Sequence, residues 1–527
     1  MSPLPPADSG FDRANADCGY RVTVGSLFRE QVLLGPGRPA VEDGRRRLSY
    51  YELNERVNRL VQVMVRRGVV RGDCVAVLSE NRSEYVETMF AAAKLGVLVA
   101  CLNWRLADGE LAQCCMLADP RLVFHSERLA ATTSRLGLEG GIAFGDEYER
   151  ALAGAEDSEP PDVADAEDGL IIIYTSGTTG LPKGAVISQR AEIMRAMLGR
   201  IEPVPVAAED GFIAWSPMFH VSGTDHVIAA LLRGGKVTVM DGFDGDRLID
   251  IAAREKIAHM TVLPGVVDRV IAALVASGRR PLSVRSVGVL ADLVPPVKIA
   301  ELTSLVGAPY CNSFGASECG WPPASRAVIP VGEVPKSLSK LQSSYGMIRL
   351  VDEDDNDVPV GVPGEICYRG PTLFSGYLRA PDANREALRG GWFHLGDVLR
   401  RNEDGTLDFV DRRKYLIKSG GENIYPAEIE KVLIALPGVA EAVVVRKADD
   451  RWGEVPVAFI ALGANGRLTA EEAVAACRSR IASYKVPKEV RFIAETELRR
   501  STSGKIIRRD LELLLEREVA QAAREAS

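Results

Sequence analysis

Apolar and polar positions in the first hundred residues follow two periods, one typical of helices and one typical of strands. Ser49 and Glu52 have the spacing of a capping box, and the apolar positions that follow recur at helical intervals, which predicts a helix. An apolar run at Cys74–Leu78 and a helical pattern at residues 89–94 continue the alternation. Residues 170–174, LIIIY, are almost wholly apolar, as in a strand buried on both faces. This alternation predicts an α/β fold with a doubly wound, largely parallel sheet.

The pattern changes in the last third of the chain. From about residue 340, short strand-like runs around polar turns predict a small β-rich subdomain. Beyond residue 411, two helical patterns and two apolar runs form a unit of about one hundred residues, a size that can fold alone. Pro426 suits the first turn of its first helix. We therefore expect a large N-terminal domain, residues 1–412, and a small α+β C-terminal domain, residues 413–527.

Composition excludes several classes of protein. The 527 residues are 46% hydrophobic and 26% charged, as in soluble globular proteins, and the net charge of −8 disfavours general nucleic-acid binding. The nine cysteines lack metal-site spacing, which favours reduced thiols and a cytoplasmic location. Glu87 and Lys94 interrupt the longest apolar stretch, and the N-terminus lacks the pattern of a secretory signal. We expect no membrane insertion, and the oligomeric state stays open, with a homodimer as one option.

A loop rich in glycine, serine and threonine follows the buried strand directly. Glycines let backbone N–H groups converge on phosphate oxygens, hydroxyls add donors, and a lysine adds a positive charge. Pro182 and Gly184 flank the lysine, so the loop lacks the Walker A pattern. A plain surface turn is the alternative, because these residue types are common in turns. The candidate phosphate-binding residues are Thr175, Ser176, Gly177, Thr178, Thr179, Gly180 and Lys183.

Five segments occur in the order seen in one group of enzymes. They are TSGTTGLPKG at residues 175–184, NSFGASE at 312–318, GWFHLGD at 391–397, DRRKYLIKSGGENIYPAEIE at 411–430 and STSGKIIRR at 501–509. The chain thus resembles the adenylate-forming superfamily of acyl- and aryl-CoA synthetases, peptide-synthetase adenylation domains and beetle luciferases. The resemblance implies an ATP-dependent acid–CoA ligase that forms an acyl-adenylate and pyrophosphate, and then acyl-CoA and AMP. It implies ATP, Mg²⁺ and coenzyme A as cofactors and a fatty or aromatic monocarboxylic acid as substrate.

The resemblance also implies roles for residues of the large domain. Glu318 is the expected magnesium ligand, and Thr175 is expected to reach the same ion through the phosphate shell. Phe314 is expected to pack on adenine, with Gly315 and Ser317 beside it in the same motif. A solvated surface charge is the alternative for Glu318, and a core position is the alternative for Phe314.

Further implied roles fall near and beyond the expected domain boundary. Asp397 is expected to accept hydrogen bonds from the ribose hydroxyls, and Arg412 to contact ribose or phosphate, with a structural ion pair as the alternative for either. Lys505 is expected to contact the forming acyl-phosphate, which requires the small, mobile domain to close over the large one. Lys414 is the expected hinge of a rotation that then replaces Lys505 by a pantetheine-binding loop. That loop contains Ser419, Gly420 and Gly421.

The segment SPMFHVSGTD resembles the family segment that borders the acyl site. His220 is expected near the carboxylate and the CoA tunnel, with a buried structural histidine as the alternative. The Phe-His pair stands near where peptide-synthetase domains hold an α-amine by an aspartate, which disfavours an amino-acid substrate. Asp225 is expected to cap the helix that follows, with a polar pocket wall as the alternative. Leu290 and Asp292 are bulkier than the usual stretch beside the substrate, although a mainly apolar acid remains the expectation.

Two other functions compete with a CoA ligase. A stand-alone adenylating enzyme that loads the phosphopantetheine of a carrier protein would use the same loop, which suits either acceptor. A non-catalytic nucleotide-binding protein on the same scaffold is the alternative from another class. The presence of Lys183, Glu318, Asp397 and Lys505 argues against this last alternative. The sequence does not choose among long-chain, medium-chain, aromatic and alicyclic acids.

Overall fold

A computed structural model describes residues 21–138, 140–176, 182–419, 422–449, 451–463, 466–500 and 506–525. The chain divides into two compact units. The first unit contains Met1–Leu338, Gln342–Met347 and Arg369–Arg389. The second contains Ser339–Leu341, Ile348–Tyr368 and Gly390–Ser527. The domain boundary expected at residue 412 stays a prediction.

Helices and strands alternate along most of the described chain. The helices are α1 (Val24–Leu34), α2 (Tyr50–Arg66), α3 (Ser83–Leu95), α4 (Asp108–Ala118), α5 (Ala130–Arg135), α6 (Asp146–Ala153), α7 (Gln189–Ile201), α8 (Val221–Arg233), α9 (Gly245–Ala252), α10 (Val267–Ser277), α11 (Pro296–Val306), α12 (Pro381–Ala387), α13 (Pro426–Ile434), α14 (Ala470–Arg480) and α15 (Arg508–Glu525).

The strands are β1 (Pro39–Glu42), β2 (Arg47–Ser49), β3 (Cys74–Leu78), β4 (Leu98–Cys101), β5 (Leu122–His125), β6 (Ile142–Ala143), β7 (Gly169–Ser176), β8 (Pro182–Ser188), β9 (Phe212–Ala214), β10 (Val237–Val239), β11 (Lys256–Ile257), β12 (Ser283–Val284), β13 (Tyr310–Cys311), β14 (Gly315–Ala316), β15 (Gly320–Pro323), β16 (Val328–Ile329), β17 (Met347–Val351), β18 (Pro363–Arg369), β19 (Gly376–Tyr377), β20 (Phe393–Arg401), β21 (Leu407–Arg412), β22 (Ile417–Ser419), β23 (Glu422–Ile424), β24 (Val439–Asp449), β25 (Gly453–Leu462) and β26 (Glu489–Phe492).

A seven-stranded sheet in the order β19-β8-β7-β4-β3-β5-β6 forms the centre of the first unit. The pairs from β7 to β6 are parallel, whereas β8 and β19 pair antiparallel at one edge. The predicted α/β fold with a largely parallel sheet is confirmed. The predicted helix after Ser49 is α2, and Ser49 and Glu52 form its capping box.

A second sheet of the first unit has the order β2-β1-β10-β9. It shares a buried apolar core with helices α1, α2, α3 and α8. The ring of Phe28 in α1 lies 4.6 Å from that of Phe90 in α3 and 6.0 Å from that of Tyr50 in α2. The Tyr50 hydroxyl donates to the carbonyl oxygens of Leu231, at 3.0 Å, and Gly235, at 2.8 Å. These bonds anchor the C-terminal end of α8 in the core, and the opposite end carries His220.

The longest apolar stretch forms α3 and β4, as predicted, and every residue of α3 is buried. The charges that interrupt it are paired inside the fold. Glu87 accepts hydrogen bonds from Arg56 at 2.8 Å and from the Tyr148 hydroxyl at 2.7 Å, and Lys94 lies 2.6 Å from Glu159. Within the described ranges, no helix combines the length and apolar character needed to cross a bilayer.

The second unit contains two sheets. One has the order β17-β18-β20-β21, and the other places β23, β22, β25 and β24 side by side with β26 against β25. The two predicted apolar runs of the C-terminal region fall within β24 and β25, and Pro426 is the first residue of α13, as expected. The Ala427 backbone N–H donates to Asp411 Oδ2 at 2.8 Å. This carboxylate therefore supplies a partner for one of the first N–H groups of the helix, which have none within the helix.

Candidate active site

The candidate phosphate-binding loop joins two antiparallel strands. β7 and β8 pair so that Thr175 lies opposite Lys183. The hairpin therefore holds these two residues side by side at the base of the loop. The side chain of Ser176 and the residues Gly177, Thr178, Thr179 and Gly180 lie outside the described part of the chain.

Tyr377 links Glu318 to Lys183. Its hydroxyl donates a hydrogen bond of 2.8 Å to Glu318 Oε1, and Lys183 Nζ lies 5.1 Å from the centre of its ring. Strand β19 brings Tyr377 here because it pairs with β8, the strand that carries Lys183. Burial, followed by the charge of Glu318, raises the pKa of the Tyr377 hydroxyl, so this hydroxyl stays protonated and donates. Two residues from separate motifs thus meet around a tyrosine that the sequence analysis missed.

Glu318 lies between the two strands of a short hairpin, β14 and β15. A Cβ atom on Gly315 would lie 2.1 Å from the Gly320 carbonyl oxygen, so only glycine fits at this position. The Phe314 ring is buried, and its backbone N–H donates to Ser325 Oγ at 3.0 Å. The predicted contact of Phe314 with adenine stays a prediction.

Arg195 connects this hairpin to α8. Its buried guanidinium donates hydrogen bonds to the Ser317 and Thr372 carbonyl oxygens and to Asp225 Oδ2, and each bond is 3.1 Å long. The backbone immediately before Glu318 is therefore held by the same side chain that pairs with α8. The sequence analysis also missed Arg195, because one arginine in a helix carries no motif.

The predicted capping role of Asp225 is wrong. Helix α8 begins at Val221 with His220 at the N-cap position, so Asp225 lies within the helix. Its carboxylate is buried and lies 3.1 Å from Arg195. A buried carboxylate requires a partner, and the arginine on α7 supplies one that no local pattern could reveal.

His220 lies at the N-terminal end of α8, with its ring centroid 4.9 Å from that of Phe219. Its Nε2 is shielded from solvent and has no hydrogen-bond partner among the described residues. Burial, followed by the charge of Arg105, lowers the pKa of His220 to about 4. The imidazole is therefore neutral near pH 7, with one nitrogen able to donate and the other to accept.

The stretch that departs from the family pattern contains a strained residue. Leu290 has a φ of 54°, in the left-handed region that a branched side chain rarely adopts. Its backbone N–H donates to Ser313 Oγ at 3.4 Å, one residue before Phe314. Leu290 is half-buried, whereas Asp292 is exposed.

In the second unit, Asp397 and Arg412 face each other across β20 and β21. Arg412 Nε lies 3.1 Å from Asp397 Oδ1, and Asp397 is buried. They form an ion pair, and their contacts with ribose stay predictions. Lys414 lies in the turn after β21, with Nζ 5.0 Å from the Tyr415 ring, and Ser419 ends β22. Gly420, Gly421 and Lys505 lie outside the described residues.

Glu318 offers the chemistry that magnesium requires. Within the described ranges, no group of three or more His, Cys, Asp and Glu side chains could hold a metal ion. A magnesium ion bound together with nucleotide phosphates needs only one or two protein carboxylates. The buried carboxylate of Glu318, which accepts a hydrogen bond from the Tyr377 phenol, fits this requirement.

Comparison with known proteins decides the family. A profile described as AMP-binding enzyme matches residues 28–378, and a profile of the AMP-binding enzyme C-terminal domain matches residues 428–505. The chain belongs to the AMP-binding enzyme family. It is an AMP-forming acid–CoA ligase.

Named relatives resemble the ligase over nearly its full length. It is 34% identical to an indoleacetate–CoA ligase of Aromatoleum aromaticum, with 92% of this chain and 96% of the relative covered. It is 32% identical to a 2-succinylbenzoate–CoA ligase of a Geobacillus species, with 94% and 98% covered. The fold is similar to that of a fatty acyl CoA synthetase of Mycobacterium tuberculosis, with 26% identity, a TM-score of 0.76, and 93% and 98% covered. The predicted ATP-dependent acid–CoA ligation is confirmed, and the roles of individual residues stay predictions.

Proposed function

We propose that this ligase activates an aromatic monocarboxylic acid with ATP and Mg²⁺ and transfers the acyl group to coenzyme A. The names of two relatives support an aromatic acid over the fatty acid that is the other expectation, because indoleacetate and 2-succinylbenzoate both contain an aromatic ring. The contact of Tyr377 with both Glu318 and Lys183 carries the assignment of the reacting site. Tyr377 joins the expected magnesium ligand to the strand that carries the lysine of the phosphate-binding loop.

The first step joins two anions, the carboxylate of the acid and the α-phosphate of ATP. The site must therefore reduce charge repulsion and align the reactants. Lys183 supplies a positive charge, and Glu318 would hold magnesium, which neutralises phosphate charge when bound. Tyr377 is a positioning residue in this scheme, because its hydrogen bond restricts the orientation of the Glu318 carboxylate. Thr175 and the glycines and hydroxyls of the loop would bind the phosphates, and Phe314, Gly315 and Ser317 would border adenine.

His220 would bind the carboxylate of the acid. Because its imidazole is neutral near pH 7, it can donate one hydrogen bond without forming a permanent ion pair. An ion pair would stabilise the free acid more than the adenylate and would oppose the reaction. A neutral donor therefore suits a site whose ligand loses its negative charge during the step.

The second step requires a different set of residues from the C-terminal region. In our proposal, Lys505 serves adenylation and then leaves, with Lys414 as the hinge. Ser419, Gly420 and Gly421 would then admit the pantetheine arm of coenzyme A close to the backbone. Asp397 and Arg412 would bind the ribose, and their ion pair would keep both side chains oriented before the nucleotide arrives.

We also propose that the chain divides near residue 412 and that it is cytoplasmic. The match of the C-terminal profile to residues 428–505 supports a separate C-terminal domain. The eight cysteines of the described ranges carry free thiols, which supports a reducing compartment.

Pyrophosphate release from ATP and magnesium tests the proposal, with a panel of aromatic and fatty acids, with and without coenzyme A. We expect release with aromatic acids, and an acyl-CoA product only when coenzyme A is present. Acid-dependent release without acyl-CoA would point to a carrier-protein acceptor. Faster turnover of fatty acids would overturn the aromatic assignment, and ATP binding without release for any acid would favour a non-catalytic protein.

A further inference from the structure

A small cavity lies in the first unit between α7, α8 and β15. Its volume is about 40 Å³, enough for a few water molecules or for one small substituent of a larger ligand. The residues of its wall that matter for the argument are Arg195, Phe212, Asp225, His226, His259 and Trp321.

Aromatic rings form one side of this cavity. The rings of Phe212 and His226 stack with centroids 5.0 Å apart, and His226 stacks on His259 at 5.4 Å. Trp321 presents its ring at a steep angle to both imidazoles, at 5.6 Å from His226 and 5.4 Å from His259. Aromatic rings in stacked and edge-to-face contact suit the end of an aromatic ligand better than a flexible chain.

Polar atoms of the two imidazoles are left without partners. Nε2 of His259 and at least one ring nitrogen of His226 are shielded from solvent and make no hydrogen bond within the described residues, while the backbone of Ser222, one turn earlier in α8, is close enough to His226 to interact with its ring. His259 Nδ1 lies 3.0 Å from Ser286 Oγ, so only its other nitrogen is unpaired. Burial lowers the pKa of both histidines, to about 4 for His226, so each ring is neutral and can donate or accept. Buried polar atoms without a partner are costly, which points to a group that arrives with the ligand.

Two residues of the cavity wall connect it to the segment that carries Glu318. Trp321 follows Glu318 by three residues, and Arg195, which lines the cavity, binds the Ser317 carbonyl oxygen. Along α8, His226 lies six residues after His220, which corresponds to about 9 Å at 1.5 Å per residue. This rise sets the scale of an acid that would extend from His220 to the cavity, and that scale is the one of a small aromatic acid.

We propose that this cavity binds a hydroxyl group at the end of the aromatic acid remote from its carboxylate, with His226 and His259 as its hydrogen-bond partners. The inference rests on the proposed function, because it places the carboxylate near His220. A hydroxyl can donate one hydrogen bond and accept another, so it pairs with both neutral imidazoles when one presents an N–H and the other an unprotonated nitrogen. The natural substrate class is then a hydroxyaryl acid, and an acid without the hydroxyl leaves both imidazoles unpaired.

Matched pairs of acids test this specificity in the full-length enzyme. The pairs are 4-hydroxycinnamate with cinnamate, 4-hydroxyphenylacetate with phenylacetate, and 4-hydroxybenzoate with benzoate. We expect kcat/KM for pyrophosphate release to favour the hydroxyl member of the best pair by about 100-fold, because a site built for a hydroxyl discriminates strongly against its absence. The affinity of the free acids, measured by equilibrium dialysis, should show the same preference without turnover.

Variants connect the preference to the cavity. His226→Phe keeps a ring that can stack on Phe212 but removes both nitrogens, and we expect it to reduce the preference to less than about fivefold. His226→Gln keeps a polar group and should restore part of it. His125→Phe, in β5 and not among the cavity residues, should leave the ratio unchanged. Both acids of a pair are measured on the same preparation. A lower fraction of folded protein therefore reduces both kcat/KM values equally and leaves their ratio unchanged.

The outcomes separate this inference from the proposed function. Equal turnover or equal binding of the two acids in every pair, or a preference that His226→Phe leaves intact, overturns the hydroxyl site while the ligase activity stands. Binding that favours the hydroxyl acid without any turnover supports the site and counts against the proposed aromatic substrate. If none of the hydroxyl acids binds, the site is refuted, and a cavity that holds only water becomes the explanation.

Discussion

The hydroxyl of Tyr377 is the smallest feature on which the proposed active site depends. Its position follows from the pairing of β19 with β8, and its protonation follows from burial beside Glu318. No periodic pattern or spacing identifies it in the sequence, because a tyrosine in FSGYLR has no neighbour with related chemistry. Sequence motifs identified Lys183 and Glu318, whereas the contact of each with Tyr377 appears only when distant strands pair.

We expect Tyr377→Phe to lower kcat for pyrophosphate release by about 10- to 100-fold, because a hydrogen bond to a charged group contributes about 1.5–3 kcal/mol. The magnesium concentration needed for half-maximal rate should rise, since the Glu318 carboxylate loses its fixed orientation. Steady-state kinetics across a magnesium titration measures both effects. Tyr51→Phe, at an exposed tyrosine, is the matched control. An unchanged magnesium dependence would contradict the positioning role of Tyr377.

Glu192 provides a second prediction at this scale. It is buried in α7, and neither carboxylate oxygen has a hydrogen-bond partner in the described part of the chain. Burial, followed by the charge of Asp225, raises the pKa of Glu192 well above 4.5. The folded chain therefore holds this proton more tightly than the unfolded chain, and wild-type stability falls as pH rises through the folded pKa.

Glu192→Gln removes this ionisation. We expect the variant to gain stability relative to the wild type as pH rises, and the difference to shrink as pH falls towards 4.5, where both states of the wild type become protonated. Urea unfolding at several pH values between 5 and 9 measures the difference. A stability difference that does not change with pH would show that the carboxyl has the same pKa in both states.

At the scale of elements, sequence patterns predicted the helices whose first turns are determined by residues close together in the chain. The helix after Ser49 was predictable because its capping box lies within four residues, and α13 was predictable because Pro426 suits a first turn. The interpretation of Asp225 failed for the opposite reason. Its partner, Arg195, lies thirty residues earlier on another helix, so the ion pair depends on how α7 packs against α8.

The hairpin of β14 and β15 gives a prediction at this scale. We expect Gly315→Ala to reduce stability by about 1–3 kcal/mol and to lower kcat, because its Cβ would lie 2.1 Å from the Gly320 carbonyl oxygen and would displace the segment that carries Glu318. Thermal unfolding and pyrophosphate release measure the two effects. Gly109→Ala is the matched control, since a Cβ there meets nothing within 4 Å. Equal behaviour of the two variants would refute the steric argument.

For the whole molecule, the alternation of helical and strand patterns predicted the fold class, and the order of five motifs predicted the reaction. The change of pattern in the last third of the chain predicted a second domain, but no pattern predicted that successive segments of residues 339–389 belong alternately to the two compact units. The acid is the least predictable feature of the protein. Its binding surface combines residues such as His226, His259 and Trp321 from separate elements, and no single motif contains them.

The two-step reaction gives a prediction that concerns the entire chain. We expect Lys505→Ala to reduce acid-dependent pyrophosphate release by at least about 100-fold, because the lysine acts on charge that develops during adenylation. In Lys505→Ala, thioester formation from supplied acyl-adenylate and coenzyme A should be largely retained. Lys414→Ala should change the rate of adenylation relative to that of thioester formation and not only the rate of adenylation. Product analysis by mass spectrometry measures both reactions. Equal loss of both steps would contradict a lysine that serves adenylation alone.

Arg195 has a consequence for how the substrate range of this enzyme can change. One guanidinium holds both the backbone before Glu318 and the Asp225 carboxylate on the cavity wall. A substitution at Asp225 that admits a new acid would therefore disturb the catalytic segment as well. Evolution or engineering towards smaller acids has a freer route through Ala229 and Ala258, which line the same cavity, because a larger side chain at either position would fill it. New substrate preferences should arise there first, with the arginine and its partners left intact.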